Sequence, residues 1–333
     1  MNATRMYRRA AVGALAVVAL AGCSTSTTDT SAEDTAAATT VTVEDNFGEQ
    51  TVTLPPKSVV ATDNSTFETL DSWGVELSAG AVSLMPSTIG YKTDDSIVNL
   101  GSHREPNLEA IVAAEPDLII NGGRFAQFRE DFQRLAPDAA IVEVAPRDDQ
   151  PFDSELKRGT TVLGEIFDKQ SEAQALNDAL DASIARVQAA YSKDMKVMGL
   201  ITSGGEIGYV APSTGRTIGP MFDIFDLTPA LEVPEGSDNH QGDDISVEAI
   251  AASNPDLIIV MDRDAGTANG GASTEGFVPA ANIIENTEAL KSVTAVKQGN
   301  VIFLPTDTYT NESIQTYTEF FNSLADLLEQ QKS

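Results

Sequence analysis

Two arginines stand at matched places in a duplicated segment of this 333-residue chain. Residues 107–120 read NLEAIVAAEPDLII and residues 246–259 read SVEAIAASNPDLII, identical at nine of fourteen positions without a gap. Arg124 lies four residues after Ile120, and Arg263 lies four residues after Ile259. A guanidinium keeps its charge at any working pH and offers planar donor pairs, which suits recognition of an anion. A third arginine, Arg216, sits in the turn PSTGRTIG over 212–219, whose backbone N–H groups also favour an anion. Any one of these arginines, taken singly, is better explained by an ion pair with one of the fifty acids of the chain. The repeat-related placement of two of them argues instead for a ligand.

The chain has two histidines, His103 and His240. That is too few for a zinc site of the usual kind, which draws on several His or Cys ligands. His240 lies in the polar loop GSDNHQG over 236–242, and Tyr309 follows the last apolar run. Each is ambiguous by itself. Glu109 and Glu248 occupy the same place in the two repeat copies, in the first turn of an expected helix. There a carboxylate complements the helix dipole by roughly 0.3–1 kcal/mol, which alone accounts for either residue.

The elements that would position these groups can be read from periodicity. In each repeat copy a capping residue, Asn107 or Ser246, precedes an Ala-rich helix, a Pro-Asp break and a Leu-Ile-Ile strand. Both arginines therefore leave the carboxyl ends of strands, where open α/β sheets bind ligands. The alternating segment 41–54 predicts a hairpin. Strands are expected at 58–62, 75–82, 140–144, 196–202 and 300–304, with helices at 65–73, 218–227 and 313–329. The run 171–192 has no Pro or Gly and repeats its apolar residues at helical spacing, so it predicts a helix about 33 Å long at ~1.5 Å rise per residue. Such a helix can act as a spine between two lobes, or simply pack on one of them. The Gly-rich stretch 264–276 predicts a loop and lacks a phosphate-loop ending. The fold class is α/β: two lobes with mainly parallel sheets joined by one long backbone helix, with a ligand cleft between them. The boundaries are an N-terminal lobe over 41–157, a linker with the long helix over 158–192, and a C-terminal lobe over 193–333.

The first 22 residues carry Arg5, Arg8 and Arg9, then an apolar run too short to span a bilayer, then Leu20-Ala21-Gly22 before Cys23. This predicts an export signal. Cys23 is the single cysteine, so no intramolecular disulfide can form. Residues 23–40 are rich in Thr, Ser, Ala and Asp and predict a solvated tether. The formal charge is −29, and loss of the signal removes three arginines and no acid. Nucleic acid is excluded as a partner of the body on this balance, and the acidity serves solubility.

Leu-Ala-Gly-Cys resembles the lipobox of bacterial lipoproteins, in which the cysteine becomes the lipidated first residue. Together with the paired Pro-Asp-Leu-Ile-Ile units and the arginines, it makes the chain resemble class III, helical-backbone substrate-binding lipoproteins of iron-siderophore ABC importers, closest to the catecholate group. The resemblance covers about residues 41–330. The group's Gly-Arg is matched by Gly123-Arg124 and its Asp-Arg by Asp262-Arg263. Its Gly-Pro-x-Ser-Arg-Phe-Gly turn is matched by 211–219 with Arg216, its Thr-His-Gly loop by 239–242 with His240, and its Trp-Tyr-Leu by 308–310 with Tyr309. The resemblance implies a ferric siderophore as ligand, with no cofactor and no catalysis. It also implies docking of Glu109 and Glu248 on the permease, a monomeric protein, and anchoring through Cys23 on the outer face of the cytoplasmic membrane. With a tetradentate siderophore, His240 and Tyr309 would complete the coordination of iron.

Two other readings stay open. The same fold could carry a carboxylate or mixed siderophore, haem or a corrinoid. An exported hydrolase could use Ser237, Asp238 and His240, although no Gly-x-Ser-x-Gly elbow occurs.

Overall fold

A computed structural model describes residues 39–269 and 274–332. The expected signal, the tether up to residue 38 and Cys23 lie outside the described residues. The chain starts with the hairpin β1 (Thr39–Asp45) and β2 (Gly48–Leu54), followed by β3 (Val59–Ala61) and α1 (Phe67–Ser72). The short strands β4 (Ala79–Gly80), β5 (Val98–Asn99), β6 (Gly101–Ser102) and β7 (Glu105–Pro106) come next. Then follow α2 (Leu108–Ala114), β8 (Leu118–Asn121), α3 (Arg129–Leu135) and β9 (Ala140–Glu143). Strands β5-β4-β3-β8-β9 form a wholly parallel sheet. All four residues of β8 are buried, which is why that strand is a continuous apolar run and not an alternating one.

Two helices follow, α4 (Phe152–Phe167) and α5 (Gln170–Ala190). The C-terminal lobe has β10 (Lys196–Ser203), β11 (Glu206–Val210), α6 (Gly219–Phe225), β12 (Thr228–Pro229) and α7 (Val247–Ser253). It continues with β13 (Leu257–Asp262), α8 (Arg263–Asn269), α9 (Ala280–Asn286), α10 (Thr294–Gln298), β14 (Val301–Phe303) and α11 (Ile314–Gln330). Its sheet runs β11-β10-β13-β14, parallel except for β11, with β12 alongside the start of β10.

The repeat builds the same unit in both lobes. Asn107 accepts a hydrogen bond from the Ala110 N–H at 3.3 Å, and Ser246 accepts one from Ala249 at 3.2 Å. Glu115 and Asn254 end the two helices in the left-handed region, at φ 43° and 49°. The aspartate of each Pro-Asp pair then ties its strand to the neighbour. Asp117 accepts from the Lys57 and Ser58 N–H groups, and Asp256 accepts from Lys196 at 2.9 Å. The motif thus fixes the register between the repeat strand and the strand beside it.

The long helical stretch is divided. Asp168 adopts φ 55°, ending α4, and α5 begins two residues later. Gly164 allows the two helices to meet closely, since a Cβ there would fall 2.7 Å from the Ala173 methyl. Helix α5, the helix expected over 171–192, packs on the C-terminal core through Leu180, Ile184 and Val187. The helix that joins the lobes is α4: Phe152 and Leu156 belong to the C-terminal core, Val162, Leu163 and Ile166 to the N-terminal one. Two further expectations change. Residues 264–269 of the expected Gly-rich loop are helical, within α8, which is started by the Asp262 carboxylate accepting from Ala265 at 2.9 Å, while 270–273 lie outside the described residues. Of the strand expected over 75–82, only Ala79–Gly80 pairs, and a 3-10 turn follows at Val82–Leu84.

The lobes also touch directly. Glu68 in α1 accepts from the Asn311 side chain at 3.0 Å, from the Thr316 hydroxyl at 3.2 Å and from the hydroxyl of Ser313, the residue that caps α11, so a carboxylate of one lobe holds the cap of a helix in the other. Thr88 donates to Asp307 at 2.6 Å and Asn64 donates to the Thr310 carbonyl at 2.9 Å. Residues 307–316 are therefore held by both lobes.

Candidate functional site

The five side chains singled out for the ligand converge on one place. Arg124 follows β8, on a 3-10 segment entered through Gly122 and Gly123. Gly123 has φ 52°, and a Cβ on Gly122 would sit 2.5 Å from the Asp63 carboxylate, so this exit needs both glycines. Arg263 opens α8 at the end of β13, where it donates to the Ser203 hydroxyl at 3.1 Å and lies 3.7 Å from Asp264. Arg216 leaves a tight turn in which Ser213 and Thr217 both have positive φ, 64° and 63°.

Tyr309 is the centre of the cluster. It stands in the 3-10 turn Thr308–Thr310 and is 6% exposed. The guanidinium carbons of Arg124, Arg216 and Arg263 lie 5.3, 5.1 and 5.0 Å from its ring centroid. One of these arginines comes from the N-terminal lobe and two from the C-terminal lobe, and each cation faces the ring as cation–π attraction requires. Arg124 also donates to the Tyr309 carbonyl at 3.4 Å and to Asn64 at 3.3 Å. Burial works against ionisation of the Tyr309 phenol, but a hydrogen bond from Arg263 and the three guanidinium charges outweigh it and hold its pKa below the usual tyrosine value.

His240 completes the set, with Nδ1 3.4 Å from the Tyr309 hydroxyl and the two rings edge to face at 6.2 Å. Partial desolvation, then Arg216, Arg124 and Arg263, push its pKa below the ordinary histidine value, so the imidazole is neutral at pH 7. A neutral imidazole beside an acidified phenol is a nitrogen and oxygen donor pair for a hard or borderline metal ion. Among the described residues no group of three or more His, Cys, Asp or Glu could hold a metal ion. Ser237 donates to Asp243 at 2.5 Å and not to His240, which leaves the Ser-His-Asp arrangement of a hydrolase unassembled.

Other residues of the site carry no repeat signal. Asn64 and Asp63 leave β3, and Ser203 leaves β10, so the strand-exit rule extended to these strands would have found them. Glu312 has no such signal and is brought in by the fold: it binds Arg216 at 2.7 Å and accepts from Thr217 at 2.6 Å. His103 lies in the β6–β7 turn, with its Nδ1 buried and without a hydrogen-bond partner; burial, then Arg124 and Arg104, lower its pKa. Glu109 and Glu248 are exposed in the first turns of α2 and α7.

The sequence matches the Periplasmic binding protein family over residues 59–308. The chain belongs to that family. The petrobactin-binding protein YclQ of Bacillus subtilis is 28% identical over 297 residues, 87% of this periplasmic binding protein and 88% of YclQ. The ferric-anguibactin-binding protein FatB of Vibrio anguillarum is 27% identical over 273 residues, 81% of each chain. The crystal structure of YclQ superposes with a TM-score of 0.73 at 26% identity, covering 87% of this chain and 99% of that one. The periplasmic catecholate-siderophore binding protein VctP of Vibrio cholerae shares the fold alone, with a TM-score of 0.72 at 23% identity over 89% of this chain and 100% of that one. The two-lobed class III architecture implied by the resemblance is the one found, and these relatives are binding proteins and not enzymes. No helix among the described residues is long and apolar enough to cross a membrane.

Proposed function

We propose that this protein captures a ferric siderophore, of catecholate type by preference, between its two lobes and delivers it to an ABC importer. The observation that carries the reading is the ring of three guanidiniums, drawn from both lobes, around the buried Tyr309. A ferric catecholate presents anionic oxygens on the edges of aromatic rings, and arginine can both donate to the oxygens and stack on the rings. At an effective dielectric near 20 and about 5 Å separation, each cation–anion pair contributes about 3 kcal/mol before desolvation. The acidic body opposes this weakly, because its exposed charges are screened over about 8 Å. With a tetradentate siderophore, His240 and Tyr309 supply the remaining donors to iron. The cargoes for which the relatives are named, petrobactin and ferric-anguibactin, support a siderophore ligand.

Titration of the protein with ferric and iron-free siderophores, followed by quenching of Trp73 and tyrosine emission, tests the reading. Sub-micromolar binding of at least one ferric catecholate is expected, with the iron-free form weaker. Failure of every ferric catecholate to bind below micromolar levels rejects the preferred cargo.

Delivery rests on Glu109 and Glu248, exposed and placed alike on the two lobes, as the groups that meet basic residues of the permease. The chain is monomeric and held by lipid on Cys23 at the outer face of the cytoplasmic membrane. Charge reversal at both glutamates should leave cargo affinity within about twofold, since surface substitutions away from a site rarely exceed ~0.5 kcal/mol, while lowering cellular uptake at least tenfold. Undiminished uptake would remove the two residues from the docking surface.

A further inference from the structure

We infer that Glu312 sets the charge of the cargo this site accepts, by cancelling one of the three guanidinium charges. The inference rests on the siderophore reading above and makes it specific: the site is matched to a ferric chelate of one or two net negative charges, such as a bis-catecholate or mixed chelate, ahead of a trianionic tris-catecholate.

The three arginines around Tyr309 are not electrostatically equal. Arg124 has only neutral partners, the Asn64 side chain and the Tyr309 carbonyl. Arg263 donates to the neutral Ser203 hydroxyl, and its nearest acid, Asp264, lies at 3.7 Å and accepts the Gly204 N–H at 2.6 Å. Arg216 is bound at 2.7 Å by Glu312, and both side chains are mostly buried, at 22% and 26% exposure. Burial works against the charge of Arg216, and the Glu312 carboxylate more than offsets that and raises its pKa. A pair this sheltered is screened far less than a surface ion pair, so its neutralisation of the site persists at physiological salt.

Glu312 is fixed by more than this one bond. Its second oxygen accepts from Thr217, a β-branched residue held at φ 63°, a conformation such residues rarely adopt. The residues on either side of it are tied to the N-terminal lobe, through the Thr310 carbonyl to Asn64 and through the Asn311 and Ser313 side chains to Glu68. The carboxylate is therefore built into the floor between the lobes and acts on any anion brought to the guanidinium cluster.

The test is the ratio of affinities for two ferric complexes that differ in charge, a hexadentate tris-catecholate with three net negative charges and a tetradentate bis-catecholate with one. Glu312→Gln keeps an oxygen acceptor for Thr217 and removes the charge. It should raise the trianion-to-monoanion affinity ratio about tenfold at physiological ionic strength and more in dilute buffer. Thr217→Val removes the hydroxyl link and leaves the charge, so it should change both affinities together and leave the ratio within about twofold, in keeping with an unchanged net field. An unchanged ratio in Glu312→Gln overturns the inference, as does an equal shift in Thr217→Val, which would assign the effect to turn geometry. Wild-type protein that binds neither complex overturns the siderophore reading itself, a result distinct from binding with an unmoved ratio.

Discussion

An Arg124→Ala, Arg263→Ala double variant should bind a ferric catecholate about 10³-fold more weakly than the wild type, with little loss of stability. Truncating one partner of a buried, charge-assisted contact costs about 2–5 kcal/mol, so two such losses at the low end give about 4 kcal/mol, or a thousandfold. Folding depends on these side chains far less. Arg124 makes two long hydrogen bonds, at 3.3 and 3.4 Å, and Arg263 makes one to Ser203 at 3.1 Å, one to the Tyr309 phenol and a loose ion pair at 3.7 Å. Bonds of this kind contribute about 1 kcal/mol each or less. Binding measured by fluorescence titration, beside a urea melt of the same preparation, separates the two effects. Affinity retained within threefold would show that the ligand does not lie against these guanidiniums.

The Asp63→Asn substitution should stabilise the protein at pH 7 by about 2–3 kcal/mol and have almost no effect near pH 4. Asp63 is 2% exposed, its Oδ1 accepts from the Ser65 N–H at 3.0 Å, and its Oδ2 has no hydrogen-bond partner. Burial, opposed by the Ser65 hydrogen bonds and assisted by Glu143 and Glu312, pushes its carboxyl from 3.8 up to about 6. The sign follows from proton linkage. Between pH 4 and 6 the unfolded chain gives up this proton while the folded chain keeps it, so rising pH favours unfolding over that window. By about pH 7, a unit above the folded pKa, the loss is nearly complete, and asparagine, which cannot ionise, avoids it. The difference in urea midpoint between variant and wild type, followed from pH 4 to 7.5, isolates this group from the other acids. A difference that does not grow with pH, or a variant less stable at pH 7, would place the charge of Asp63 among stabilising interactions instead.

Much of this site is legible in the sequence because its arginines belong to a local unit. Strand, exit turn and arginine are contiguous along the chain, so a duplicated segment with a four-residue offset fixes where Arg124 and Arg263 emerge whatever the rest of the chain does. The caps at Asn107 and Ser246 and the exposed positions of Glu109 and Glu248 follow in the same way, from helix geometry within a few residues. The alternation of strands and helices is equally local, and it is enough to predict two α/β lobes.

Only tertiary structure decides which exits meet. Nothing near Tyr309 in sequence says that it stands among three guanidiniums, because the contacts that place it come from Asn64 and Arg124 of the other lobe. The pairing of Glu312 with Arg216 joins residues 96 apart. Helical periodicity does not separate α4 from α5 either, since a single left-handed residue at Asp168 divides a continuous apolar pattern. Which helix bridges the lobes depends on the cores each one meets. The sequence by itself therefore determined the parts of the receptor and the chemistry each carries. The fold determined their number at one point, their order around Tyr309 and the pairing of Arg216 with Glu312, because those depend on distances between segments that periodicity does not measure.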